Sequence, residues 1–339
     1  MGATGFQPGR IVLLVALTAL ALIGFASGDP GILSGANLYS MAVFAVEIGI
    51  IAFGQTLVIC GGDGGIDLSV GAIAALAQVL MGLALQAGIF WPASVLIAVV
   101  AGIVMGAVNG VLVTRFRIEP IITTLATMFV FDGLALVLTG GINIDLTTMP
   151  QTFLDLGQGS ALGLPFQLLC VYLPAFLILI ALQHRTHFGR SLYLVGTNTL
   201  SARLTGIRVD RLRAWTYVIA GLLSGLAGAI GAARLGTASP TADEQANLIS
   251  IAIVVLGGSS IFGGDGSVVG TAVATVLIGV VNYGLSYNDF NPIYQAGVMG
   301  IILIAAVLIE NLASGRNWAA MPFFSRRGPT AIPRKESSG

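Results

Sequence analysis

Apolar residues in this chain come in long runs, separated by short polar or Gly/Pro breaks. The runs mark candidate spans at 11–28, 38–60, 67–87, 92–114, 120–139, 165–183, 214–234, 247–262, 268–286 and 293–312. A membrane-crossing helix needs about 20 mostly apolar residues, and most of these runs approach that length. The pattern predicts an all-α fold: a polytopic transmembrane helix bundle of about ten spans. Residues 1–312 form one membrane domain, and a polar tail follows at 313–339. The runs 38–60 and 247–262 end in glycine-rich sequence, and one of them is expected to be broken or re-entrant. The first run, Ile11 to Ala26, exceeds a signal-peptide core of about 7–15 residues and is read as an uncleaved span.

Composition sharpens this picture. Hydrophobic residues make up 56% of the chain and charged residues 9%, against about 25% charged in a soluble domain. The formal net charge is zero, which leaves no basic surface for nucleic acid. Cys60 and Cys170 lie in apolar runs and predict no structural disulfide. Glycine is abundant, with 46 residues. Gly102, Gly106 and Gly110 repeat every four positions, as do Ala220, Ser224 and Gly228, and both sets predict close helix packing.

Charge also orients the spans. Cytoplasmic loops collect Lys and Arg. Ten spans with both termini cytoplasmic place 14 of the 15 basic residues inside and leave Arg234 at an outer helix end. The outer loops 140–164 and 235–246 contain Asp145, Asp155, Asp243 and Glu244 but no Lys or Arg.

Several chemistries are excluded. No G-x-x-x-x-G-K-[ST] phosphate loop occurs, and the only lysine is Lys335 in the tail. ATP hydrolysis by that machinery is therefore not available to this chain. His184 and His187 are the only histidines, too few for a His-based zinc site, and no metal ligands are assigned.

Three segments carry polar or glycine-rich sequence at places where a span would want neither. The first runs from Gly54 through Gly65-Ile66-Asp67-Leu68-Ser69-Val70-Gly71. It reads either as a turn in which Asp67 and Ser69 cap the next helix, or as a polar solute path at membrane depth. The second, 184–213, contains Gly189, Arg190, Gly196, Asn198, Ala202, Arg203, Leu204 and Gly206. A helix of about two turns fits between an N-cap at Thr197 or Asn198 and a stop at Gly206. Leu200, Arg203, Leu204 and Ile207 fall on one side of it. That side rests on lipid headgroups or docks into a cytoplasmic partner. The third contains Gly257, Gly258, Gly263, Gly264 and Gly266, and repeats the Gly-Gly-Asp-Gly of 61–64 at 263–266. Either an internal repeat or chance in a glycine-rich chain accounts for the match. Within spans, Glu47 and Asp132 cost about 2.5–3.5 kcal/mol each on insertion scales, so both should face the interior, paired or wet. Asn109 is a cheaper polar candidate. Each of the three is a pathway residue or an inter-helix hydrogen bond.

These motifs resemble those of the ribose/xylose-type permeases of bacterial ABC importers, and more distantly the branched-chain amino-acid permeases. Gly65 to Gly71 matches the family string G-I-D-L-S-V-G. Glu119-Pro120-Ile121-Ile122-Thr123-Thr124-Leu125 matches its P-x-I-x-T-L stretch. Gly189 to Ile207 is similar to its ATPase-contacting segment, and Leu256 to Gly270 to its later glycine-rich motif. The chain departs from the pattern in the extra glycine-rich sequence around Asp63, and in Asp265 where a basic residue often stands. Both departures bear on substrate identity. The resemblance covers about residues 38–312. It implies a permease in a bacterial cytoplasmic membrane, paired with a second permease chain, importing a monosaccharide. A separate ATP-binding subunit would hold ATP and magnesium, and a periplasmic or tethered binding protein would deliver the solute. The same architecture serves nucleosides, furanosyl signals or amino acids. An ion-coupled secondary transporter using Glu47 or Asp132 is the reading from another class, and a passive channel a third.

Overall fold

The computed structural model describes residues 8–242 and 244–313. The order is α1 (Pro8–Gly28), α2 (Gly35–Cys60), α3 (Val70–Gln86), α4 (Trp91–Thr114), α5 (Pro120–Thr139), β1 (Ile144–Asp145), α6 (Gln151–Gln158), β2 (Ser160–Ala161) and β3 (Leu164–Pro165). Then come a π turn (Leu168–Tyr172) running into α7 (Leu173–Arg185), α8 (His187–Thr197), α9 (Thr199–Leu204), α10 (Val209–Leu235), β4 (Thr237–Ala238), α11 (Ala246–Leu256), α12 (Val268–Tyr287) and α13 (Pro292–Ala313). Local chemistry sets many of the boundaries. Ser34, Thr186, Asn198 and Ser267 accept bonds from the first-turn N–H groups of α2, α8, α9 and α12. Pro92 and Pro120 open α4 and α5, where a missing N–H costs nothing. Left-handed Gly140 and Gly236 end α5 and α10.

The fold is helical, as the apolar runs predict. Seven of the described helical segments are long and apolar enough to cross a membrane: those in α1, α2, α4, α5, Leu168–Arg185, α10 and α12. Three shorter apolar helices lie at 70–86, 246–256 and 294–308. Two expected spans are corrected. The 67–87 run forms helix only from Val70, because Asp67 and Ser69 bond to each other instead of extending a ladder. The 247–262 run stops at Leu256, because Gly257 packs against the backbone of Gly270 and Thr271 and leaves no room for another turn. Of the two glycine-ended runs, α2 is continuous and α11 is the broken one. The tail from residue 314, and Asp243, lie outside the described residues.

α10 is the axle of the bundle and packs on α2, α3, α4 and α6. Its contact with α4 is backbone against backbone. Cβ atoms placed on Gly102 and Gly106 would lie 3.1 Å from Gly225 Cα and Gly221 Cα, and one on Gly110 would lie 2.9 Å from the Ala214 carbonyl. The second small-residue set meets other helices: Gly54 of α2 lies on Ala220, and Gly228 lies on Ala74 of α3. α1 packs one face on α12 through Leu14, Leu17 and Phe25 and exposes the rest, including Val12, Leu20 and Ile23, whereas α2 is mostly buried. Exposed aliphatic surface of that extent suits lipid.

The two ends of the bundle differ. One carries α6, the pair β1–β4 and the β2–β3 hairpin. The other carries α8, α9 and both Gly-Gly-Asp-Gly segments.

Candidate translocation and coupling site

At the α9 end, the connection from α2 to α3 makes a polar node inside the bundle. Asp67 is fully buried. Its Oδ1 accepts from the Ser69 N–H (2.8 Å) and the Ser69 hydroxyl (2.6 Å). Asn109 of α4 donates from Nδ2 to Ser69 Oγ at 2.7 Å. Gln55 of α2 holds the same residue by its backbone: with the amide nitrogen toward the Asp67 carbonyl, it donates at 3.2 Å and accepts from the Asp67 N–H at 3.1 Å. Thr124 of α5 bonds to the Ile66 carbonyl at 3.3 Å. The expected cap is therefore corrected. Ser69 occupies the N-cap of α3, but its side chain makes no capping bond, since the hydroxyl is spent on Asp67. Asp67 Oδ2, Asn109 Oδ1 and the Tyr217 hydroxyl are buried without a hydrogen-bond partner among the described residues. Such atoms are costly to bury, at about 1–3 kcal/mol each, and a hydroxyl-bearing molecule can satisfy them.

Beside the node, a cavity of about 250 Å3 opens between the α2–α3 connection, the α4–α5 turn and α9–α10. Asp63, Arg117, Glu119, Arg203, Arg213 and Tyr217 line it. Two ion pairs cross its rim, Arg213–Asp63 at 2.7 Å and Arg203–Asp210 at 3.0 Å.

The 184–213 segment is more ordered than a loop with one short helix. α8 covers Gly189, Arg190 and Gly196, and was legible only as polar sequence. Gly189 closes onto the backbone of Gln183, which lets α8 fold back on α7. Exposed Arg190 lies 3.3 Å from His187. α9 is the expected helix: Asn198 accepts from the Ser201 N–H at 2.9 Å, and Gly206, at φ +83°, ends it. The N–H groups of Gly206 and Ile207 return to the carbonyls of Arg203 and Ala202, a Schellman closure. One detail differs from expectation. Ala202 and Ile207 turn inward with Val195 and Val209, while Leu200 (69%) and Leu204 (82%) are exposed together with Arg203.

Both Gly-Gly-Asp-Gly segments meet α8 here. Gly196 is wedged against the Cys60 carbonyl and Gly264, and Gly263 lies on Gly62. The Gly264 N–H donates to the Cys60 carbonyl at 3.2 Å. Gly65 sits over the Val58 carbonyl, Gly71 is buried in the first turn of α3, and Gly258 (φ +100°) lies under Arg10. The Gly266 carbonyl accepts from the Tyr193 hydroxyl (2.6 Å) and from Gln183 Nε2 (3.1 Å). Burial, followed by the charge of Cys60 and then Asp265, pushes the Tyr193 hydroxyl above its ordinary pKa.

Not every candidate joins this assembly. Glu47 lies about 20 Å up α2 from Cys60, at the α6 end, where both its oxygens accept from Arg234 (2.5 and 3.0 Å). Arg234 also stacks over Phe44 at 5.1 Å. Glu47 is thus paired, as an acid in a span should be. Asp132 is half-buried on α5 and has no hydrogen-bond or ion-pair partner among the described residues. Among them there is also no group of three or more His, Cys, Asp or Glu residues placed to hold a metal.

Residues 37–307 match the family model described as the permease component of branched-chain amino acid transport systems. The chain belongs to this permease family. It is 42% identical to the ribose import permease protein of Bacillus subtilis (strain 168), over 84% of this chain and 88% of that one. The ribose import permease protein of Escherichia coli (strain K12) is 35% identical over 90% and 93% of the two chains. The autoinducer 2 import system permease protein of Escherichia coli O9:H4 (strain HS) is 30% identical over 96% and 98%. No solved structure matches. As a permease the chain is a multi-pass membrane protein, in keeping with its seven long apolar helices.

This end of the permease uses residues that sequence reasoning passed over. Gln55 and Gln183 were hidden in apolar runs, where a lone glutamine is the signal worth following. Arg213 was counted only as one of several loop arginines, and nothing local to it told of its three partners.

Proposed function

We propose that this chain is the membrane-spanning subunit of an ABC importer and forms the pathway for a ribose-like monosaccharide, with ATP and magnesium handled by a separate subunit. The observation that carries this is α9: a capped, rigid helix presenting Leu200 and Leu204 beside Arg203 at the end where the arginines gather. Exposed leucines on so short a helix suit a groove in a partner. Similarity to ribose import permeases along most of the chain supports the solute class.

In this reading ten spans leave both termini and the α8–α9 segment in the cytoplasm. The α6 end faces out, toward a solute-binding protein. Two permease chains enclose the pathway, and the node of Asp67, Ser69 and Asn109 is part of its polar lining. Closure of the ATPase pair moves α9, and the pathway changes the side to which it opens. The 30% identity to an autoinducer 2 permease favours, as a second reading, a furanosyl signal as cargo.

The test is purification of the tagged chain in mild detergent from its host, with mass spectrometry of what accompanies it, then uptake of labelled ribose by vesicles containing the complex. A co-purifying ATP-binding subunit and ATP-dependent ribose uptake are expected. A clean oligomer without an ATPase, or uptake abolished by a protonophore alone, would sink the proposal in favour of ion coupling.

A further inference from the structure

Arg213 sits in the second turn of α10 with its side chain only 11% exposed. Its guanidinium reaches three acceptors on two other pieces of chain. Nε donates to the Gly61 carbonyl (3.1 Å), Nη1 to Asp63 Oδ2 (2.7 Å) and Nη2 to Thr199 Oγ1 (2.8 Å). Thr199 is the first residue of α9, and its hydroxyl in turn bonds the Val195 carbonyl of α8 at 3.1 Å. Gly61 and Asp63 belong to the turn that leads into the Asp67 node. We infer that Arg213 is the positioning residue through which movement of α9 reaches that node.

The route is short and made of bonds. Arg213 pins Thr199 to Gly61 and Asp63. The Gly65 N–H donates to the Gly62 carbonyl at 3.1 Å, so the turn moves as one piece. Two residues on, Asp67 is gripped by Gln55 on one side and bonded on the other to Ser69, whose hydroxyl in turn accepts from Asn109. Tyr217 follows Arg213 at i+4 on α10 and lines the same cavity, so α10 presents both to the turn. A planar guanidinium suits this task because its donors leave in fixed directions; an ammonium on a flexible stem cannot hold three acceptors in one plane.

The fork is not needed to hold these elements together. Gly196, Gly264 and Cys60 already lock α8 to both glycine turns by backbone packing. The Asp63 side chain is 69% exposed, and an ion pair so wet contributes little to stability. What the fork adds is a fixed geometry between the α9 segment and the node.

This inference rests on the importer reading, so the test is run on the complete importer, permease with its ATPase and binding protein, in proteoliposomes. Labelled ribose uptake and ATP hydrolysis are measured in the same vesicles. Arg213→Lys keeps the charge and loses the fork. Uptake per ATP hydrolysed should fall about tenfold, within the range by which substitutions along a coupling route act, while basal hydrolysis stays within about twofold. Asp63→Asn keeps a residue that tolerates the left-handed backbone at φ +62° and turns one arm from an ion pair into a weaker neutral hydrogen bond, and should lower the ratio about threefold. Asp63 is exposed, so this variant stays informative even if Arg213→Lys does not fold. A wild-type uptake-to-ATP ratio in Asp63→Asn, or uptake and hydrolysis falling in proportion in Arg213→Lys, would overturn the inference. Wild-type vesicles that take up ribose without ATP would instead overturn the importer reading beneath it.

Discussion

The tetrapeptide Gly-Gly-Asp-Gly occurs twice at the α9 end, at 61–64 and 263–266, and the two copies adopt different backbones. In the first, Gly62, Asp63 and Gly64 all have positive φ (70°, 62° and 69°), and Asp63 is turned outward into the hand of Arg213. In the second, positive φ falls on Gly263 and Gly264 (86° and 77°), while Asp265 returns to the ordinary region. The Asp265 side chain makes no hydrogen bond or ion pair among the described residues; its carbonyl accepts from the Ser260 N–H instead. One copy presents an acid, and the other lets backbone approach backbone. Identical residues do different work because their neighbours differ: both copies meet Gly196 of α8, but only the aspartate of the first is faced by an arginine.

The largest expected effect comes from filling the second copy. A Cβ on Gly264 would lie 2.7 Å from the Thr197 nitrogen and oxygen, on a left-handed residue. Gly264→Val should cost about 3–5 kcal/mol from overpacking and backbone strain together, and abolish monodisperse protein in detergent chromatography. Gly64 has open space around it and carries only the strain. Gly64→Ala should cost about 1–2 kcal/mol, read as a modest loss of thermal stability with assembly intact. Equal behaviour of the two variants would erase the distinction between the copies.

Next is the acid that each turn leads to or carries. Asp67→Ala removes the acceptor for Ser69 and should lower uptake at least about tenfold with protein still in the membrane, as loss of about 1.4 kcal/mol or more would. Asp265→Asn should stay within about 0.5 kcal/mol of wild type in stability and leave uptake unchanged. Arg203→Glu places a like charge beside Asp210 and alters the exposed face of α9. It should reduce recovery of the ATPase in pull-downs about tenfold, the scale of a damaged interface contact. Gly206→Val should uncouple hydrolysis from uptake through loss of the Schellman turn. Normal transport by both would mean that α9 is not the docking helix.

The smallest effect belongs to the opposite end. The Tyr287 hydroxyl, and then the Gly31 N–H, hold the Asp29 carboxyl below its ordinary 3.8. The tether between the α1–α2 turn and α12 is therefore fully made above the ordinary carboxylate range and lost as pH falls through the lowered value. Thermal scans of wild type and Asp29→Asn should coincide at low pH and separate slightly above pH ~4.

Much of this was legible in the residues. Long apolar runs name helices without tertiary help, because in lipid only a helix satisfies its own backbone. Asn198 and Gly206 bracket α9 because capping is a local bond and a local φ. The candidate site was legible in part. Asp67, Ser69 and Asn109 were each suspect as polar groups at membrane depth, and Glu47 was expected to be paired or wet. That Arg234 is its partner required α2 and α10 to lie side by side. α8 escaped notice because its one buried stripe, Gly189, Leu192 and Val195, is too short to show a period.

The sequence by itself determined the class of the protein, most of its long apolar helices, the ends of α9 and the gathering of arginines in one loop, since hydropathy, capping and charge bias act within a few residues. Only the tertiary structure decided which of two identical tetrapeptides turns its aspartate outward, which arginine grips it, and where the run after Ala246 stops. The first two depend on contacts between residues 150 or more positions apart, such as Arg213 with Asp63 and Gly263 with Gly62, and the third on Gly257 meeting Gly270 and Thr271 of the next helix. No local preference encodes a partner that close packing alone brings within reach.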